Sequence, residues 1–265
     1  ASYRPPAATL PNLWITAILE DSRGDLWVGF DGGVSHYDRR ASVWHTYTKA
    51  GGLVANYVTS LAEDKEGIIW VGLSDNIAWE RGGLNWFDGQ SWHSHTFEDL
   101  YGDNRSNQVT SLLVSSDGSL WVGTYGGIHH YKREGQQTIS AVQEPETALS
   151  KGWDISPAPQ ISETRTRGGI RYPGDENWRT YTIQDGLPDD CVLDIAEGPP
   201  GTLWFATCNA GLLRFNLLGW KVFADTSRSG LLTDNLGAVL IGRDNSIWIA
   251  GMGGYAGRYR QGEWM

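Results

Sequence analysis

Short apolar runs alternate with polar turns along the whole chain, and no stretch carries a helical period. The clearest run reads Leu26-Trp27-Val28-Gly29. It returns as Ile69-Trp70-Val71-Gly72, Leu120-Trp121-Val122-Gly123, Leu203-Trp204-Phe205-Ala206 and Ile247-Trp248-Ile249-Ala250. Ahead of each copy stands a β-branched, apolar run at 15–19, 58–62, 109–114, 192–196 or 236–241. A polar turn such as Asp21-Ser22-Arg23-Gly24 or Asp64-Lys65-Glu66-Gly67 separates the two. Behind each copy come a Gly pair, an alternating run such as Val34-Ser35-His36-Tyr37, and an aromatic element such as Trp44-His45-Thr46-Tyr47 or Trp178-Arg179-Thr180-Tyr181. Each unit therefore predicts four short strands bounded by turn residues.

The spacing counts the units. The five Trp lie 43, 51, 83 and 44 residues apart, and 83 is close to two periods. Gly pairs or near-pairs number six: Gly32-Gly33, Gly82-Gly83, Gly126-Gly127, Gly168-Gly169, Ala210-Gly211 and Gly253-Gly254. Counting back seven residues from Gly169 puts Ser162 in the vacant Trp position. Four strands in roughly 40–45 residues is the blade period of a propeller. The expected fold is all-β, a six-bladed β-propeller with four antiparallel strands per blade, seven blades being the less favoured count. One domain spans 1–265, with blades at 15–48, 58–97, 109–142, 151–182, 192–224 and 236–265. The third unit is expected to close with a strand at 138–142, and the fourth with Trp178-Arg179-Thr180-Tyr181. The last unit stops where an outer strand should begin. The N-terminal strand at 1–4 is expected to complete that blade and close the ring, which removes exposed edges.

Composition adds limits. Ten of the fourteen Trp occupy the two repeat positions, so they read as packing between blades. The others are Trp14, Trp79, Trp86 and Trp153. A net charge of −10 disfavours nonspecific binding to nucleic acid or anionic membrane. No apolar run reaches 18 residues, so no membrane-spanning helix is expected. No dinucleotide site is expected at Gly251-Met252-Gly253-Gly254-Tyr255-Ala256, because no helix follows it. Acidic turns such as Glu20-Asp21 and Glu63-Asp64 are thinner in carboxylates than a calcium loop and read as solvated turns.

The string from Asp185-Gly186-Leu187-Pro188 through Gly201-Thr202-Leu203-Trp204-Phe205-Ala206-Thr207 to Gly211-Leu212-Leu213-Arg214-Phe215 resembles the two-component regulator propeller repeat. Residues 48–72 and 109–131 resemble it too, and the likeness covers nearly the whole chain apart from a degenerate fourth unit. The resemblance implies an extracellular or periplasmic sensing module, often attached to a kinase and often recognising oligosaccharides. The repeat style is also similar to that of the streptogramin lyases, which are enzymes on a propeller.

In a propeller the loops from second to third strand, and from each outer strand to the next inner strand, share the face where ligands bind. The expected ligand-binding residues there are Asp31, Asp75, Trp79, Arg81, Tyr125, Arg165, Arg167, Tyr57 and Trp14. Asn56, Asn107, Asp190, Asn209 and Asn235 lie on the same loops. Trp79 sits in an insertion with Asp75, Glu80 and Arg81, a set suited to stacking on a sugar ring and fixing its hydroxyls. Arg165 and Arg167 suit a carboxylate or sulfate. His36 and His130 hold equivalent places in two units, which favours a packing role over catalysis. No catalytic residue, cofactor or metal ligand is assigned. Cys191 and Cys208 face one another across a turn centred between Pro199 and Pro200, so a bond or near-contact is expected. A bond would accompany an extracytoplasmic location.

The leading expectation is a non-catalytic propeller that binds a small molecule or oligosaccharide as a sensor, with a larger signalling chain or protein partner and neither nucleic acid nor membrane insertion. The alternatives are a lyase using a His or acid with a divalent metal, and a protein-interaction scaffold.

Overall fold

The computed structural model describes residues 14–75, 82–97, 102–133, 177–199, 201–216, 219–224, 231–260 and 262–265. The chain is an all-β propeller, and its described residues form five four-stranded antiparallel sheets. The first sheet runs β1 (Ile15–Glu20), β2 (Leu26–Phe30), β3 (Gly33–Asp38), β4 (Val43–Tyr47). The second runs β5 (Tyr57–Glu63), β6 (Ile69–Ser74), β7 (Gly83–Phe87), β8 (Trp92–His95). The third holds β9 (Val109–Val114), β10 (Leu120–Thr124), β11 (Gly127–Tyr131), β12 (Trp178–Tyr181). The fourth is β13 (Val192–Glu197), β14 (Leu203–Thr207), β15 (Leu212–Asn216), β16 (Gly219–Ala224). The fifth is β17 (Leu236–Ile241), β18 (Ile247–Gly251), β19 (Tyr255–Arg260), β20 (Glu263–Trp264).

Two compact units divide the chain at 114/115. In the first, Trp27 and Val34 of the first sheet form one core with Val58, Ile69, Val71 and Leu73 of the second. In the second, Trp204 and Leu212 of the fourth sheet share a core with Val239, Ile247, Ile249 and Tyr259 of the fifth. Buried indoles at one repeat position thus join each of these sheets to the next.

One strand assignment differs from the expectation. Trp178–Tyr181 closes the third sheet, pairing Tyr131 with Trp178 and Ile128 with Tyr181. This repeats the first sheet, where Tyr37 pairs with Trp44 and Val34 with Tyr47. The Gly pair gives the physical reason. Gly33, Gly83 and Gly127 all have φ between 133° and 139°. A Cβ on any of them would strike a carbonyl oxygen of the outer strand, that of Tyr47, His95 or Tyr181. Tyr181 therefore belongs to the glycine at 127. The strand expected at 138–142 and the rest of the unit expected at 151–182 lie outside the described residues, as does the strand expected at 1–4. The outer place of the fifth sheet is held by β20, where Tyr259 pairs with Trp264.

Candidate functional site

In the first two sheets the hairpin turn between inner and second strand is built around a buried acid. Asp21 Oδ2 accepts the indole N–H of Trp27 at 3.0 Å, and Oδ1 accepts the backbone N–H of Arg23 and of Asp25. Asp64 does the same for Trp70, Glu66 and Ile68. Both acids are buried, while the turn residues Ser22, Arg23, Lys65 and Glu66 around them are exposed, as a solvated turn requires. Burial pushes the Asp21 carboxyl up, but the hydrogen bonds from Trp27, Asp25 and Arg23, with the Arg23 charge, outweigh it and hold the group below its usual value.

Asp21, Asp25 and His36 are the one group of three close enough to share a cation among the described residues. Their atoms are already engaged. His36 Nε2 lies 3.1 Å from Asp25 Oδ2, and Asp25 Oδ1 accepts the Arg39 N–H. The His36 ring stacks on Trp27 at 4.2 Å. His130 stacks on Trp121 at 4.0 Å in the same way. Both His therefore act as packing plates in mid-sheet, as their equivalent positions suggested.

The opposite edge carries the loops expected to bind ligand. Their backbones are tied by three clamps. Asn56 Oδ1 accepts the Lys49 N–H, Asp190 Oδ1 accepts the Ile183 N–H, and Asn107 exchanges hydrogen bonds with both backbone groups of Phe97. Asn56, Asn107 and Asp190 thus hold the loops rather than offer free groups to a ligand. In the fourth sheet Cys191 and Cys208 form a disulfide with Cα atoms 5.4 Å apart. Asp189 braces it, accepting the N–H groups of Cys191 and Asn209.

By register, four of the expected ligand residues lie at the matching ends of the first two sheets, two on each. Ile15 pairs with Phe30 at the end of the β1–β2 ladder, so Trp14 and Asp31 flank that pair. Tyr57 pairs with Ser74 at the matching end of β5–β6, and Asp75 follows Ser74. Trp14 is 75% exposed, the second most exposed of the large apolar side chains among the described residues. Asp31 Oδ1 is buried and has no hydrogen-bond partner. Tyr125 occupies the β10–β11 turn of the second unit. Trp79, Arg81, Arg165 and Arg167 lie outside the described residues.

Sequence reasoning missed two features of this edge. Gln108 is buried, and its Oε1 accepts from Ser74 Oγ at 2.7 Å and from the Asp75 N–H at 2.8 Å, which fixes the start of the β6–β7 loop. The inner strands also bulge at one place, between Ile15 and Ala17, Val58 and Ser60, Val192 and Asp194, and Leu236 and Ala238. A bulge re-aims the extra side chain. In the first unit those side chains are Thr16 and Thr59, and both Oγ1 atoms are buried without a partner. With Asp31 Oδ1 they are three buried oxygens without a hydrogen-bond partner at the same ends of the first two sheets. Such a set can accept from and donate to the hydroxyls of a polar ligand or of bound water.

A family model described as the two component regulator propeller matches residues 9–32, 52–75, 105–126 and 186–209. Each match takes in an inner strand, its turn and the second strand of one sheet. No curated protein matches the chain by sequence. Among solved structures it is similar to the extracellular domain of a putative hybrid two component system from B. thetaiotaomicron, at 18% identity and TM-score 0.64 over 95% of this chain and 30% of that one. A surface component of the type-IX secretion system from Porphyromonas gingivalis matches at 19% identity and TM-score 0.59, over 94% and 32%. Virginiamycin B lyase from Staphylococcus aureus matches at 14% identity and TM-score 0.61, over 95% and 69%. The chain thus spans about a third of the length of the first two.

Proposed function

We propose that this chain, built from two-component regulator propeller repeats, is an extracytoplasmic ligand-recognition module of a sensor, and that its ligand is an oligosaccharide. The observation that carries the reading is Trp14, exposed beside the unmet carboxylate oxygen of Asp31 at the inner-strand edge. An exposed indole offers an apolar plate to the C–H face of a sugar ring, and nearby acceptors fix its hydroxyls. Asp31, Thr16 and Thr59 supply such groups, while Tyr57 and Asp75 extend the same edge on the second sheet. The ligand role of Trp79, Arg81, Tyr125, Arg165 and Arg167 belongs to the same proposal. The Cys191–Cys208 disulfide supports an oxidising compartment. The extracellular origin of the similar two-component domain agrees with it.

The test is retention on a glycan array by the wild-type chain and by Trp14→Ala and Asp31→Asn variants of unchanged melting temperature. Retention of an oligosaccharide class by wild type alone supports the site. Equal retention by all three removes Trp14 and Asp31 from it.

A further inference from the structure

The three positions that form the candidate edge of the first sheet recur in other sheets with different chemistry. They stand thirteen and eleven residues before the repeat Trp and four after it. The first sheet fills them with Trp14, Thr16 and Asp31, the second with Tyr57, Thr59 and Ser74, and the fourth with Cys191, Leu193 and Cys208. The fifth fills them with Asn235, Gly237 and Met252. Its version combines an unmet acceptor, a missing side chain and an exposed thioether.

Asn235 Oδ1 is buried and has no hydrogen-bond partner. Loop clamping does not account for it, because Asp234, one residue earlier, holds the place of Asn56, Asn107 and Asp190. The Asn235 backbone is fixed on both sides. Its N–H donates to Thr233 Oγ1 at 3.1 Å, and its carbonyl accepts the Met252 N–H at 2.9 Å. The second bond sets Met252 opposite Asn235, one step beyond the Leu236–Gly251 pair. Residues so opposed put their side chains on one face of the sheet, with Cβ atoms about 4.5–5.5 Å apart. Met252 is 63% exposed. Gly237 is the extra residue of the bulge between Leu236 and Ala238, so where other sheets re-aim a side chain this one has none. A Cβ on Gly237 would stand 3.8 Å from the Ala250 carbonyl oxygen and 3.9 Å from Met252 Sδ, with nothing nearer among the described residues. The three residues therefore leave a notch over the Gly237 backbone, walled by the Met252 thioether, with the Asn235 amide on the same face.

We propose that this notch binds the acetamido group of an N-acetylated sugar. The inference rests on the oligosaccharide reading above and names the sugars that the fifth sheet selects. An acetamido group carries an N–H donor two bonds from a methyl carbon. Asn235 is half-buried, and rotation about its χ2, a broad torsion in Asn, turns Oδ1 to the opening, where it accepts that N–H. The acceptor thereby gains the hydrogen bond it lacks within the chain. The methyl enters the space above Gly237 and lies on the polarisable sulfur of Met252. A sugar with a hydroxyl in that place supplies the donor but leaves the notch unfilled.

Met252 and Met265 are the two methionines of the chain, so methionine-methyl labelling gives a two-signal NMR spectrum with Met265 as the internal control. Tri-N-acetylchitotriose should shift the Met252 signal saturably and leave that of Met265 in place. Cellotriose, the same backbone without acetamido groups, should bind at least tenfold more weakly. Gly237→Ala puts a methyl into the notch, and Asn235→Leu removes the acceptor. Gly237 is not in the left-handed region, so Ala adopts its backbone without strain. Each variant should raise the dissociation constant tenfold or more at an unchanged melting temperature. Equal binding of the two trisaccharides, Gly237→Ala binding as tightly as wild type, or a silent Met252 signal in a chain that retains other glycans on an array would each overturn the subsite and leave the oligosaccharide reading standing. Retention of no glycan at all would overturn both.

Discussion

The Asp21 carboxylate reaches 3.0 Å to the indole N–H of Trp27 from six residues upstream, and Asp64 reaches Trp70 at 2.9 Å across the same interval. This bracket closes the turn between inner and second strand and fixes the indole that packs on the next sheet. Asp64→Ala leaves a buried indole N–H and two backbone N–H groups unmet, so it should cost about 3 kcal/mol in urea unfolding, with Asp64→Asn costing less. Equal stability of Asp64→Ala and wild type would contradict the bracket.

The Asp21 carboxyl is held below its ordinary value of 3.8. A group with a depressed folded pKa stabilises the fold above its unfolded pKa and loses that contribution as pH falls through the folded value. Acid unfolding below pH 3.8 should therefore be less steep in Asp21→Asn than in wild type, read by far-UV circular dichroism.

His130 behaves in the opposite sense. Burial pushes its pKa down, Asp117 pulls it up in part, and Arg179 and Lys132 push it down, which leaves it at about 4. The ring stays neutral on Trp121 while the unfolded chain takes up a proton near pH 6.5. Stability should fall as pH drops from 6.5 to about 4, by up to about 3 kcal/mol from this residue. His130→Phe should flatten that window, and an unchanged slope would place the titration elsewhere.

The Cys191–Cys208 bond closes a segment with a sequence separation of 17 residues. Replacing both Cys with Ser should cost about 3 kcal/mol in denaturant unfolding. The chain isolated without reductant should lack two hydrogens by mass, and two free thiols would contradict the bond.

The repeat grammar carried most of the fold. Hairpin register was legible because turns such as Asp21-Ser22-Arg23-Gly24 set it locally. The facing of Cys191 and Cys208 came out as expected for a different reason: the ladder beside the turn pairs Glu197 with Leu203, one place off the expected centre, and the bulge between Val192 and Asp194 brings the two Cys level. The partner of Trp178–Tyr181 was not legible. Every outer strand has that pattern, and Trp178 lies 47 positions after Tyr131, so only the close approach of Gly127 to the Tyr181 carbonyl identifies its sheet. The bulges were also hidden, because the position they share holds Thr16, Thr59, Leu193 or Gly237, with no chemistry common to all four. On the candidate edge, Trp14, Asp31, Tyr57 and Asp75 were found by loop position alone. Gln108 escaped because its bonds to Ser74 and Asp75 join residues more than thirty positions apart.

Isothermal titration of an array-retained oligosaccharide into wild type and Trp14→Ala tests the central claim most directly. The exposed indole contributes little to the fold, so the variant should melt within about 0.5 kcal/mol of wild type. Its dissociation constant should rise tenfold or more, about the size of one lost stacking contact and its desolvation. An unchanged dissociation constant in a folded Trp14→Ala chain would contradict recognition at the edge where Trp14 and Asp31 stand.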